Sequence, residues 1–281
     1  MRIGKTRRES SLRYLALGVA LVGLPALFAP STETADLCGT TIVADFDLEE
    51  DLTCSGNALF AGADGISIRL NGHSITGNGT GVGITITGRT NVAVSGGTLR
   101  NFAAGVRTMN STDSVVKSNL LLENTDGVDL QAGSVGTLVK ENEFRDNRSR
   151  GVMLRTNSVE NVVLENTLTG NNVGILLFGA INSLVKENSI SSSRLAGIRI
   201  NLPATGNSVV ENTVTSNPSG IDFIVAADAG PAGNLVSENT IVANTCGISG
   251  IFSANTLEEN VLQSNTFDIA AQLADCLAAA S

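Results

Sequence analysis

The chain has 281 residues, 42% of them hydrophobic and 16% charged, with a formal charge of −9. Aromatic residues make up 4%, with no Trp and one Tyr, which leaves little from which to build a nucleobase-stacking surface or an aromatic sugar platform. Five basic and two acidic residues fall in the first 35, so the remainder holds 13 basic and 25 acidic side chains, net −12; that balance repels phosphate backbones and anionic membranes and argues against nucleic acid as a partner.

Residues 1–13 are basic, and Tyr14 to Phe28 form an apolar run of signal-peptide length, too short to span a bilayer comfortably and interrupted by Pro25. Residues 1–35 are therefore read as a cleaved export signal, with an uncleaved anchor as the rival. Thr6-Arg7-Arg8 resembles the start of a twin-arginine signal, but Ser10 and Ser11 stand where that pattern is apolar. Leu37 before Cys38 does not suit a lipidated cysteine. The mature protein is expected outside the cell or in the envelope or periplasm, without membrane insertion, as a monomer. An exported chain can keep disulfides, and four cysteines allow three pairings. Local closure at each end favours Cys38–Cys54 and Cys246–Cys276. A zinc site is disfavoured by the long spacings and by a single histidine, His73.

From residue 105 a Gly-[Val/Ile] pair recurs: Gly105-Val106, Gly127-Val128, Gly151-Val152, Gly174-Ile175, Gly197-Ile198, Gly220-Ile221 and Gly247-Ile248, in steps of 22, 24, 23, 23, 23 and 27. A second block, [Val/Leu]-x-Glu-Asn-x-[apolar]-x-x-Asn, follows in units such as VKENEFRDN (139–147) and VVENTVTSN (209–217). Within each unit apolar residues alternate with a period of two, as at Val128 and Leu130 or Val152 and Leu154, which predicts short strands. A period of 22–24 residues with several such strands predicts a solenoid whose coils pair with those above and below. Val139, Val163, Val185, Val209, Val236 and Leu257 form one expected apolar column; Phe144, Leu168, Ile190, Val214, Ile241 and Leu262 form another. A polar column, Asn119, Asn142, Asn166, Asn188, Asn212, Asn239 and Asn260, is expected to make a structural ladder of side-chain amides, with Asn adopting the left-handed backbone of a sharp corner.

These repeats, together with CGTTIVADFDLEEDLTC (38–54), GISIRLNGHSITGNGTG (65–81) and NVAVSGGTLRNFAAGV (91–106), resemble the right-handed parallel β-helix repeat proteins of the pectin-lyase-like class over nearly the whole mature chain. The resemblance implies an all-β, single-domain solenoid, here of about nine coils: an N-terminal cap over 36–62, the β-helix over 63–268 and a cap with a short helix over 269–281. A leucine-rich repeat would need several fixed leucines and a helical side, and calcium-binding nonapeptide repeats need Gly-Gly-x-Gly-x-Asp; both patterns are absent. The class holds lyases, hydrolases, epimerases, phage spikes and non-catalytic surface proteins, so fold alone does not select a function.

Counting two past each repeat Gly places Arg107, Asp129, Met153, Leu176, Arg199, Asp222 and Ser249 in one outward column; counting four gives Met109, Gln131, Arg155, Phe178, Asn201, Ile224 and Ile251. Arg107 beside Asp129 and Arg199 beside Asp222 read as cross-strand ion pairs. A lyase of the pectate type uses an Arg base and a calcium held by clustered carboxylates; Asp129 with Asp126, or Asp222, would begin such a site, but no coil supplies three or four acids. Calcium is implied only under that alternative; otherwise no cofactor or metal is expected. Asn124-Thr125-Asp126-Gly127 is similar to one polygalacturonase motif, which would make Asp126 a proton donor, while the companion motifs are missing. The epimerase motif Asp-Pro-His-Asp is absent, and His73 reads as a turn residue. The catalytic candidates are thus Asp126, Asp129, Arg199 and Asp222. Met153, Leu176 and Phe178, flanked by Arg155, form a candidate binding surface. Only Ile224 to Gly233 lengthens a coil, which is little wall for a cleft. The function expected is an exported, non-catalytic β-helix that binds a glycan or surface protein along its long face, the alternative being a lyase or hydrolase of uronate-containing polymers.

Overall fold

A computed structural model describes residues 37–131, 133–224, 230–250, 254–271 and 273–280. The expected export signal and part of the lengthened coil at 224–233 lie outside the described residues. Residues 37 onward form one right-handed parallel β-helix. Its three parallel sheets are a long one of 11 strands and two of 10 strands each, and every strand pairs with the one a coil away. The count of coils is thus ten to eleven rather than nine. Residues 36–62, read as a cap, supply the additional strands: Thr40–Ile42, Phe46–Asp47 and Leu52–Thr53 each open one of the sheets.

Stacking is in register, Val139↔Val163↔Val185↔Val209↔Val236 in the second sheet and Phe144↔Leu168↔Ile190↔Val214↔Ile241 in the third. These side chains are fully buried, and together with Val106, Val128, Val152, Ile175, Ile198 and Ile221 they make one continuous core. Each such aliphatic side chain removed from water contributes about 1.5–3 kcal/mol, which is how a chain with few aromatics closes its interior.

The polar column is a hydrogen-bonded ladder. Asn142 Nδ2 donates to Val116 O (2.8 Å), Lys140 O (3.0 Å) and Asn166 Oδ1 (3.1 Å), and its backbone N–H donates to the same Oδ1 (2.9 Å). The left-handed residue at this corner is not the Asn but its predecessor: Glu141, Glu165, Glu187, Glu211 and Glu238 have φ of +53 to +56°. The Asn side chain must point inward to reach carbonyls on two coils, so the turn is made one residue earlier, where the side chain is free to leave the rod. Two further ladders stand at the other corners. Asn124, Asn147 and Asn171 form one, continued beyond Ser193 by Asn217, Asn244 and Asn265; Asn161, Asn207, Asn234 and Asn255 belong to the other.

Cys38 is bonded to Cys54 and Cys246 to Cys276, and no free cysteine is present among the described residues. The only helix among the described residues, Leu273–Ala280, packs on the long-sheet strands Ser219–Ile224, Cys246–Ser249 and Phe267–Ala270. It flanks the last coils, so the apolar stack of the final coil keeps an exposed end: Ile269, paired with Ile248 in the core column, is 57% exposed.

Candidate functional site

The repeat glycines shape the outer face of the long sheet. A Cβ on Gly127 would lie 2.5 Å from both the Gly151 carbonyl oxygen and the Phe144 ring, so this residue turns inward, as Val128 next to it does. Two consecutive inward residues constitute a bulge, and the strand therefore presents both Asp126 and Asp129 outward. The same bulge recurs coil after coil. It adds a second outward column, Ala104, Asp126, Arg150, Val173, Ala196, Ser219 and Cys246, beside the column Arg107, Asp129, Met153, Leu176, Arg199, Asp222 and Ser249.

Asp126 and Asp129 are brought together under three guanidinium groups. Asp129 is fully buried and accepts from Arg155 Nε (2.6 Å), Arg107 Nε (3.0 Å) and Gln131 Nε2 (3.0 Å). Asp126 accepts from Arg150 Nη1 (3.2 Å) and lies 3.7 Å from Arg155 Nη2. Burial holds the Asp126 carboxyl above the ordinary carboxylate range, against the opposing charge of Arg150, and the neighbouring Asp129 charge adds to the rise. Arg155 is raised by its hydrogen bond to Asp129. The three arginines stay between a quarter and two fifths exposed, so the outer surface of the cluster is cationic while its carboxylates lie beneath. Beside it Gln131, Arg155, Thr156 and Phe178 line an open depression of about 340 Å³.

The second charged pair is also built in, but beneath a cover. Arg199 Nε donates to Asp222 Oδ2 (2.8 Å), Ser249 Oγ donates to Asp222 Oδ1 (2.7 Å), and Ser249 and Ser219 hydroxyls lie 2.8 Å apart. Burial raises the Asp222 carboxyl above its ordinary range despite Arg199 and Ser249. Cys246 faces outward in this region, and its bond to Cys276 holds the helix over the sheet. Asp129 and Asp222 are both fully buried, unlike the partners of an ordinary surface pair.

The binding group expected from Met153, Leu176 and Phe178 divides. Met153 and Leu176 are buried with Val173, and Leu195 from the neighbouring turn packs over them; this removes them from the surface. Phe178, at 39% exposed, remains accessible with Arg155. His73 Nδ1 stands 3.5 Å from Asp51, and the His73 backbone closes a turn with Leu70. Among the described residues no group of three or more His, Cys, Asp or Glu side chains converges as for a metal. All four cysteines are in disulfides, and Met109 and Met153 lie two coils apart, about 10 Å along the rod.

Solved structures with this architecture include an alginate lyase from Paenibacillus sp. (10% identity, TM-score 0.59, covering 79% of this chain and 98% of that one). They also include the Dettilon tailspike protein (15%, 0.57, 77% and 53%) and a mutant of the periplasmic alginate epimerase AlgG (14%, 0.57, 83% and 75%). At such identities the likeness shows the fold. No curated protein matches the sequence. The family described as periplasmic copper-binding protein (NosD) matches residues 47–230, more than half of the chain, and its periplasmic setting agrees with the two disulfides. By that match the chain is a member of the NosD family, built as a right-handed parallel β-helix.

Proposed function

We propose that this NosD-family protein binds carboxylated polysaccharide on the outer face of its long sheet without cleaving it. The observation that supports this reading is the engagement of both carboxylates at the centre of that face. Asp129 takes three hydrogen bonds and Asp126 is paired with Arg150, so neither offers a free base. What the cluster offers outward is guanidinium. Three arginines against two carboxylates give a local charge of +1 on a body that is otherwise strongly acidic, and the planar forks of Arg suit a uronate carboxylate. Phe178 and Thr156 supply one apolar and one hydroxyl contact beside them.

A lyase or hydrolase of the same polymers is the second reading. The raised Asp126 carboxyl favours it, since burial shifts the group toward the protonated form that a general acid needs. The locked state of Asp129 weighs against it, because the second carboxylate that hydrolysis requires is not available.

The copper of the family's description does not fit the described residues. Copper sites draw on imidazole, thiolate and thioether. Among the described residues the imidazole is single, the thiolates are absent and the two thioethers, Met109 and Met153, are separated by two coils.

The test is equilibrium binding of the disulfide-intact chain to alginate, polygalacturonate and neutral dextran, with Phe178→Ala and Arg155→Ala alongside. The expected result is salt-sensitive binding of the two polyuronates only, weakened about tenfold by either substitution. Equal binding of dextran, or unchanged affinity in both variants, would remove the site from this face.

A further inference from the structure

Three features of the C-terminal end of the rod lie apart from the proposed glycan-binding face. First, the last strand of each sheet, Thr256–Glu258, Val261–Gln263 and Phe267–Ala270, has a neighbour on one side only among the described residues. Such an edge is a template for strand pairing unless it is covered. The helix that would be expected to cover it is held on the flank by the Cys246–Cys276 bond.

Second, the interior of the rod reaches the surface there. Ile269 ends the core column and is 57% exposed, and beside it Val261 and Phe267, at outward positions of the last strands, add apolar surface at 52% and 43% exposed. The ladders stop in the same way. In earlier coils the backbone N–H of a ladder Asn donates to the Oδ1 one coil further on, as Asn234, Asn239 and Asn244 do to Asn255, Asn260 and Asn265. Among the described residues no acceptor stands opposite the N–H of those last three.

Third, the end is uniformly acidic. Arg199 is the last basic residue in the sequence, and eight acidic residues follow it. Glu258, Glu259 and Asp268 are exposed on the final coil. A second copy is a poor occupant on that ground. Its N-terminal coil would bring Asp45, Asp47, Glu49, Glu50 and Asp51 against these carboxylates, and end-to-end pairing through the same edge would bring the three carboxylates against themselves.

We propose that the C-terminal edge, centred on Ile269, Val261 and Phe267 and rimmed by Glu258, Glu259 and Asp268, docks a protein partner that adds β-strand to the open sheets and presents Lys or Arg to the rim. Main-chain pairing and the apolar end would supply affinity, and the acidic rim would select the partner and its orientation.

The experiment places p-benzoylphenylalanine in place of Val261 or Phe267 in the full chain, expressed in its native cells, with exposed Val43 near the opposite end as the control position. Irradiated adducts are mapped to the cross-linked peptide by mass spectrometry. The expected result is an adduct from the two C-terminal positions and not from position 43, with the cross-link in a strand-forming segment of another protein flanked by Lys or Arg. A Glu258→Lys, Glu259→Lys, Asp268→Lys variant should lower its yield about tenfold while keeping the wild-type melting midpoint, since all three side chains are exposed. Adducts only with a second copy, adducts whose mapped segment is acidic or insensitive to charge reversal, or no adduct above the control position would each overturn the proposal.

Discussion

Asn166→Ala should be among the most damaging single substitutions in this chain. The Asn166 side chain is buried, accepts at Oδ1 from Asn142 N (2.9 Å) and Asn142 Nδ2 (3.1 Å), and donates from Nδ2 to Val139 O and Asn188 Oδ1 (both 2.9 Å). Truncation leaves the Asn142 backbone N–H without its acceptor and Val139 O without this donor. Asn142 Nδ2 keeps Val116 O and Lys140 O, and Asn188 Oδ1 keeps the Asn166 backbone N–H. One orphaned buried N–H at about 1–3 kcal/mol, with the two lost Nδ2 hydrogen bonds at about 0.5–1.5 kcal/mol each, gives an expected loss of roughly 2–5 kcal/mol. The same change at Asn260, at the half-buried end of the ladder where water can substitute, should cost about half as much. Asn166→Asp is the sharper probe. It keeps the acceptors but removes both donors and buries a charge, so it should be worse than Ala at pH 7 and recover in part as the pH falls toward 4 and the carboxyl protonates. Urea unfolding of the disulfide-intact chain measures all three. A loss below about 1 kcal/mol for Asn166→Ala, or equal losses at 166 and 260, would refute the claim that the ladder satisfies buried backbone groups.

Further outcomes follow from other parts of the rod. Gly127→Ala brings a Cβ within 2.5 Å of the Gly151 carbonyl, where backbone must shift, and should cost at least about 3 kcal/mol, whereas Gly56→Ala, with no atom within 4 Å, should be near neutral; thermal melts of the two separate close approach from loss of glycine as such. Asp126 titrates above its ordinary value of 3.8, so its contribution to stability is greatest when it is protonated and falls as the pH rises through the raised value. The difference in melting temperature between wild type and Asp126→Asn should therefore move in favour of the variant from pH 4 toward neutrality, and a pH-independent difference would contradict the burial argument. Replacing both Cys246 and Cys276 by Ser should lose up to about 3–4 kcal/mol for the 30-residue closure and raise hydrogen exchange at Ser219, Asp222 and Ser249 beneath the helix. Unchanged exchange there would mean that the helix does not cover that face.

Much of the fold is legible because a solenoid writes its stacking into the sequence: residues one period apart are neighbours in space, so Val139, Val163 and Val185, or Asn142, Asn166 and Asn188, can be paired without knowing the path of the chain between them. The other two ladders were equally accessible, since their Asn residues sit five positions before and after the first, as at Asn207, Asn212 and Asn217. The site was only partly legible. Strict alternation sends the residue before each repeat Gly inward, and it takes the bulge at Gly127 to bring Asp126 to the side of Asp129 and to turn Cys246 outward. The periodicity also places Met153 and Leu176 on the outer face but carries no sign that Leu195 covers them, because that contact comes from a turn on another coil. The C-terminal helix was readable from its Ala and Leu content; the surface it covers followed from the direction of Cys246, which was not.

Under the proposed function the Asp126–Asp129–arginine cluster holds a carboxylated glycan and leaves its glycosidic bonds intact. Mass spectrometry of the soluble fraction, after prolonged incubation of the disulfide-intact chain with alginate or polygalacturonate in the presence and absence of calcium, tests it most directly. The expected result is no oligosaccharide beyond the no-protein control, while the same preparation retains the polymer. Oligosaccharides that appear with the wild type and vanish with Asp126→Asn would contradict it and establish this face as an active site.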